Sequence, residues 1–239
     1  MTSTSPVVRP TPAPPAPGGM RRWLGNHALG TVLVAAFVVF TVAQALTGWQ
    51  VRNEDLAAAG QPGDGFWHYL TTGHFGEALF ENWESEFLQM GAYVVLTAFL
   101  VQRGSPESKD PGQGDRPGDD PRDADLNSPA WSRRPGWRQV VYRNSLSLAF
   151  FGFFALSFTA HLIAGTAAYN EEQALDSGAA PISVRQFAGT SDFWFQSMQN
   201  WQSEFLAVTA LVLLSVVLRQ HGSPQSKPVT APHSHTGDT

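Results

Sequence analysis

The sequence contains no cysteine. That excludes disulfides, thiolate metal sites and a cysteine nucleophile, and it leaves the redox compartment open. Charge is also scarce. Only 15% of the residues are Asp, Glu, Lys or Arg, against about a quarter in soluble domains. The net charge of −5 is mild, and the basic residues fall in linkers rather than on one folded surface. Nucleic-acid binding is therefore not expected. No Gly-rich phosphate loop, His-Glu-x-x-His or Gly-x-Ser-x-Gly motif is present. Without a nucleophile or metal constellation, neither enzymatic activity nor a cofactor is expected. His233 and His235, two apart in a polar tail, do not amount to a metal site.

What the chain has instead is apolar runs separated by polar segments. Residues 28–46 are apolar apart from Thr31, Thr41 and Gln44. At about 1.5 Å per residue, a helix over 24–48 crosses a hydrocarbon core of ~30 Å. The rival reading is a signal peptide, with Arg21-Arg22 as its charged region and Ala43-Gln44-Ala45 as its cleavage site. It is disfavoured because an equivalent apolar run recurs in mid-chain. The second run, 87–101, is too short to span alone. It must borrow the polar block before it, which gives a span of about 82–103. Gly104 then fits a C-cap and Pro106 a helix stop. The third and fourth spans are expected at about 144–168 and 200–219.

The segments between these runs are polar. Residues 1–20 are rich in Pro, Ala, Ser and Thr and are expected to be disordered. Met20-Arg21-Arg22 reads as a natural start, which would leave the preceding tail dispensable. Residues 51–76 read as a loop broken by Gly60, Pro62, Gly63 and Gly65, with 66–70 as a short interfacial segment. Residues 110–136 are expected to form a disordered linker, and 228–239 a disordered tail.

The strongest pattern is a repeat. Asn82-Trp83-Glu84-Ser85-Glu86-Phe87-Leu88 leads into an apolar run ending Gly104-Ser105-Pro106-Glu107-Ser108-Lys109. Asn200-Trp201-Gln202-Ser203-Glu204-Phe205-Leu206 leads into another ending Gly222-Ser223-Pro224-Gln225-Ser226-Lys227. Asn53-Glu54-Asp55 is echoed by Asn170-Glu171-Glu172. The fold expected is all-α and integral to a membrane. It has four transmembrane helices arranged as two tandem helical hairpins, 21–109 and 137–227. A pseudo-two-fold axis would run along the membrane normal.

Thirteen of the fifteen Lys and Arg residues precede the first span, lie between the second and third, or follow the fourth. Only Arg52 and Arg185 fall in the other two loops. The positive-inside rule then puts both termini and the linker in the cytoplasm.

Depth along the helices brings four polar groups into one layer. Glu86 lies about 25 Å along a helix from Arg103. Glu204, His161 and Gln44 fall at a similar depth, near the outer boundary. Asn82, Glu86, Gln89 and Tyr93 follow i, i+4, i+7, i+11 and form one polar stripe. Ser157, His161 and Gly165 share a face of the third span. Two readings remain open. In the structural one, Asn82 and Asn200 start and cap helices, Trp83 and Trp201 anchor the interface, and Gln44 and His161 bond between helices. The protein then has a structural or interaction role. In the other, Glu86, Glu204, His161 and Gln44 form an outer-leaflet site of a small proton, cation or solute transporter, channel or pH-responsive component. The expected partners are the lipid bilayer and a second copy or another membrane protein.

At the two Asn-Trp-x-Ser-Glu-Phe-Leu blocks and the two Gly-Ser-Pro-x-Ser-Lys endings, the chain resembles a family of small bacterial four-helix membrane proteins of unknown function. The resemblance covers about residues 21–227, with both tails and the Asp/Pro-rich linker outside it. It implies a multi-pass protein of a bacterial plasma membrane. It implies no substrate, cofactor or active site.

Overall fold

The structure, a computed structural model, describes residues 19–110 and 118–237. The expectations for residues 1–18 and 111–117 lie outside the described residues. The described residues form eight α-helices and one 3₁₀ turn, and no strand. The described residues divide into two compact units, one up to Gln50 and one from Val51.

The N-terminal unit holds α1 (Gly19–Asn26) and most of α2 (Ala28–Ala58). The hydroxyls of Thr31, Thr41 and Thr47 donate to carbonyls four residues earlier, those of His27, Phe37 and Ala43. Each of these three hydroxyls is therefore satisfied by its own backbone, as a hydrocarbon environment would require.

The second unit begins with the last turns of α2. It continues through α3 (Phe66–Tyr69), α4 (Gly73–Phe99), α5 (Trp137–Arg143), α6 (Ser145–Asp176), α7 (Val184–Phe187) and α8 (Ser191–Val217). α4 packs along α6 and also against α8. Small residues let the α4 and α6 backbones approach. A Cβ on Gly73 would lie 2.6 Å from the Ala168 nitrogen, and one on Gly76 would lie 2.9 Å from the Ala164 side chain. Phe187 and Phe193 are fully buried. Phe193 packs edge-on to Phe158 and Phe187, which closes the α6–α7–α8 side.

Among the described residues, three helices, α2, α6 and α8, are long and apolar enough to cross a membrane. α4 is long enough but carries Glu77, Glu81, Glu84, Glu86 and Gln89. It does not meet the same standard of apolarity.

The helix boundaries differ from those expected. α4 starts at Gly73 rather than near Asn82, and α8 at Ser191 rather than near Asn200. The caps are Thr72 and Thr190, whose hydroxyls accept from the Phe75 and Phe193 amides at 3.5 and 3.3 Å. Asn82 lies inside α4 and donates its side-chain amide to the Ala78 carbonyl. Neither asparagine is a cap. The helices run past the apolar stretches because side chains hold the polar ends in place. Asn53 bonds both the N–H and the carbonyl of Asp64. Asn170 does the same to Ile182.

The other ends differ as well. α4 and α8 stop at Phe99 and Val217, before their Gly-Ser-Pro motifs, so Gly104 is not a helix cap. Each motif folds back on itself. The Ser108 hydroxyl accepts from the Gln102 amide and Ser226 from Gln220. Gly104 and Gly222 take φ of +84° and +82°, which glycine adopts without strain.

Two polar segments make local hydrogen bonds and turns where they are described. Residues 118–136 contain turns and a 3₁₀ turn at Pro121–Asp123. There Arg122 donates to Asp120, and these hydrogen bonds hold the Asp120 carboxyl down to about 2. Residues 228–237 wrap the end of the bundle. The fully buried Lys227 ammonium donates to the Pro232, His233 and His235 carbonyls. Thr236 accepts from the Gly104 amide, and Gly237 donates to the Ser105 carbonyl. The tail is held because it satisfies backbone groups left open by the turn.

Candidate functional site

α4 carries an uninterrupted polar stripe. Glu77, Glu81, Ser85, Gln89, Tyr93 and Thr97 follow one another at four-residue spacing, with Glu84 alongside. Neighbours in such a row touch, and the row winds slowly round the helix, by about 40° at each step, so that Glu77 and Glu81 share a face with Glu84 while Tyr93 and Thr97 have turned toward another. Glu84, Ser85 and Gln89 are buried.

The centre of the site is the pair Glu84 and His161, both with no exposed surface. His161 Nδ1 lies 3.0 Å from Glu84 Oε2. The other carboxylate oxygen accepts from the Ser197 hydroxyl at 2.8 Å and from the Trp201 indole N–H at 3.3 Å. His161 Nε2 faces Gln196 Oε1 at 3.1 Å, and Gln196 Nε2 donates to Glu77 Oε1 at 3.1 Å. Glu81 stands near His161 and within hydrogen-bonding reach of Asn200. The Phe193 ring packs against the imidazole, with centroids 5.0 Å apart. Gly165, one turn along α6 from His161, leaves room for Glu77. A Cβ there would lie 3.1 Å from its Oε1.

The network crosses three helices through side chains. The amide of Gln196 sets its polarity. With Glu77 ionised, Gln196 turns its NH2 to Glu77 and its carbonyl to His161, and the ring donates from both nitrogens. With Glu77 protonated, the amide reverses and Nε2 accepts. The two arrangements differ by one proton moved from His161 to Glu77.

A second cluster lies toward the start of α4. Buried Arg52 donates from Nη1 to His74 Nε2 at 3.0 Å, pairs through Nη2 with Glu171, and lies 3.6 Å from Asp64. Burial pushes the nearby Tyr69 phenol up, and the Arg52 charge offsets part of that rise. Among the described residues, no group of His, Asp and Glu is placed to hold a metal ion.

The expected residues are distributed as follows. His161 is central, on the α6 face shared with Ser157 and Gly165. Its carboxylate partner is Glu84, not Glu86 or Glu204. Glu86 is exposed; Glu204 is half-buried near Glu86, and its backbone carbonyl accepts from Gln89 at 2.8 Å. Gln44 lies on α2 within the N-terminal unit. Trp83 packs edge-on to Phe80. Trp201 points its N–H into the site and packs on Phe154, so it is more than an interface anchor.

With this geometry in hand, the relatives can be stated. A family described as a domain of unknown function, DUF6766, matches residues 20–238. The chain belongs to the DUF6766 family. No curated protein and no solved structure matches it. The DUF6766 match takes in the linker and the C-terminal tail, beyond the 21–227 expected from the repeated motifs. That agrees with the tail being bonded into the fold. The family description assigns no activity to Glu84, His161 or their neighbours.

Proposed function

We propose that the chain is a four-span membrane protein that takes up and relays protons through Glu77, Gln196, His161 and Glu84. The observation that carries this reading is the surplus of acid. Three carboxylates on one face of α4 stand around a single imidazole. Ionisable groups at membrane depth are costly and most often mark a pathway or relay. If the network served only to hold helices together, an apolar contact would do as well, and one carboxylate would suffice. The reversible Gln196 amide supplies a route between His161 and Glu77.

Several observations support four spans in two tandem hairpins. Glu84, Ser85 and Gln89 of α4 are buried where α6 and α8 pack against it, while Phe99 is exposed. The matching caps at Thr72 and Thr190, the matching Asn53 and Asn170 bonds, and the matching serine turns favour two equivalent halves. Four crossings also place both termini and the linker on one side, the cytoplasmic face of the plasma membrane by the positive-inside rule.

A structural or interaction role is the second reading, with no enzymatic step and with lipid or a second copy as partner. It is favoured by the completeness of the network. Among the described residues, the buried side-chain atoms without a partner are Arg52 Nε, Tyr93 Oη and Arg219 Nε, none of them in it.

The test is proton flux into proteoliposomes carrying a trapped pH dye under an imposed potential. Flux above empty liposomes, lost in Glu84→Gln while the protein stays folded, supports the relay. Wild-type flux no greater than that of empty liposomes would sink it and leave the structural reading.

A further inference from the structure

We infer that the cavity between α4 and α8 is a water-filled vestibule, leading from the Gly-Ser-Pro end of the bundle to Gln89, just short of the buried carboxylates. Its purpose rests on the proton-relay reading; its geometry does not. The cavity has a volume of about 720 Å³. A second cavity of about 330 Å³ shares Gln89, Tyr93, Thr97, Glu107 and Val208 with it.

Polar groups recur along the larger cavity from end to end, interleaved on α4 with Met90, Val94 and Ala98. Glu107, Lys109 and Asp119 sit on its wall, Thr97 and Tyr93 follow, and Gln89 lies deepest along α4. Val208 and Leu211 of α8 form the opposite wall. Three of the stripe residues of α4 thus face this space. Gln89 is five residues from Glu84, about 7.5 Å of helix rise.

The choice between water and a lipid tail is decided by Tyr93. Its hydroxyl is buried and lacks a partner at full hydrogen-bond distance, its one polar neighbour being the Glu107 carboxylate, with which it interacts more loosely. A buried hydroxyl without a partner is destabilising by about 1–3 kcal/mol. An acyl chain would leave it so, and would also lie against three charged side chains. Water satisfies the phenol and solvates the charges. At roughly 30 Å³ per molecule, the space holds on the order of twenty waters. Gln89 closes the deep end by donating to the Glu204 carbonyl. The vestibule therefore brings bulk protons close to the relay from the side opposite the Arg52 cluster.

The absence of cysteine makes the test direct. Single cysteines are placed at Thr97, near the mouth, and at Val208, which lines both cavities. Ala98→Cys serves if Thr97→Cys fails to fold. Leu126→Cys, in the exposed linker, reports which side of the vesicle is reached, and Leu156→Cys, exposed on α6, reports a lipid-facing position. Each is treated with a charged, membrane-impermeant methanethiosulfonate. T97C and V208C are expected to react from the side where L126C reacts, T97C the faster, with L156C inert. No reaction at either, or reaction at T97C alone, overturns the vestibule. Labelling does not depend on transport, so a protein that reacts as expected but carries no protons would refute the relay and leave the vestibule standing.

Discussion

Glu84 and Glu86 are two residues apart and face opposite ways. On a helix, two positions differ by about 200°, and that difference separates a buried hydrogen-bonded carboxylate from a solvated one. Replacing Glu84 with Ala leaves His161, Ser197 and the Trp201 N–H without their acceptor. A buried ionic network that loses one member is destabilised by about 3–5 kcal/mol. Glu86→Ala should change stability by less than about 0.5 kcal/mol, as exposed substitutions do. Thermal unfolding in detergent, followed by circular dichroism, separates the two. His161 was legible in the sequence as a polar residue on an otherwise apolar face with Ser157 and Gly165. Its partner was not. The stripe from Asn82 through Glu86, Gln89 and Tyr93 suits a helix that begins at Asn82. Glu77, Glu81 and Glu84 also follow i, i+4, i+7, but that row shows only if the helix begins a turn before Glu77. The signal for the earlier start is Thr72 ahead of Gly73, a capping residue followed by a long run without proline. Gln196 and Ser197 had no sequence signal, because their roles depend on which face of α8 meets α4 and α6.

The helices themselves divide in the same way. Their apolar centres are set by composition and were readable. Their ends are set by tertiary bonds and were not. α6 continues to Asp176 because Asn170 grips Ile182 in the following loop and Glu171 meets Arg52, a partner far away in sequence. The caps give a direct test. Thr72→Ala and Thr190→Ala each remove one hydroxyl that accepts from the helix, and each should lower stability by about 1 kcal/mol in the same assay. Equal effects would favour two equivalent halves; a twofold or greater disparity would count against them. The α4–α6 contact is less forgiving. Gly73→Val puts a branched side chain where a Cβ alone would lie 2.6 Å from a backbone nitrogen. The helices must part there, with a loss of about 1–3 kcal/mol from overpacking, and Glu77 and His161 should lose their alignment. Proton flux in Gly73→Val should therefore fall along with thermal stability.

For the whole molecule, the membrane character was legible from the scarcity of charge and the long apolar runs. The bonded tail was not, since nothing in a polar segment announces that Lys227 will draw three carbonyls around it. Truncation after Lys227 should destabilise the protein by about 1–3 kcal/mol, because the Gly104 amide and the Lys227 ammonium lose their partners together. An unchanged melting temperature would show the tail to be dispensable. A reporter fused at Asp119 should be active only in the cytoplasmic orientation, and the opposite result would overturn the four-span topology.

The polar stripe on α4 also bears on how the protein is made. An ionised carboxylate within a span opposes insertion, by about 2.5–3.5 kcal/mol at the centre and by less toward the ends. α4 carries several, so it is a poor stop-transfer segment while it is the newest part of the chain. α6 and α8, whose side chains neutralise the stripe, emerge from the ribosome only after the linker. The linker then acts as a delay, and α4 must wait at the translocation machinery or beside it until its partners arrive. A nascent chain cut at residue 136 should leave α4 outside the bilayer, and one extended through α8 should draw it in. The residues that would move protons in the finished protein would thus fix the order in which its helices enter the membrane.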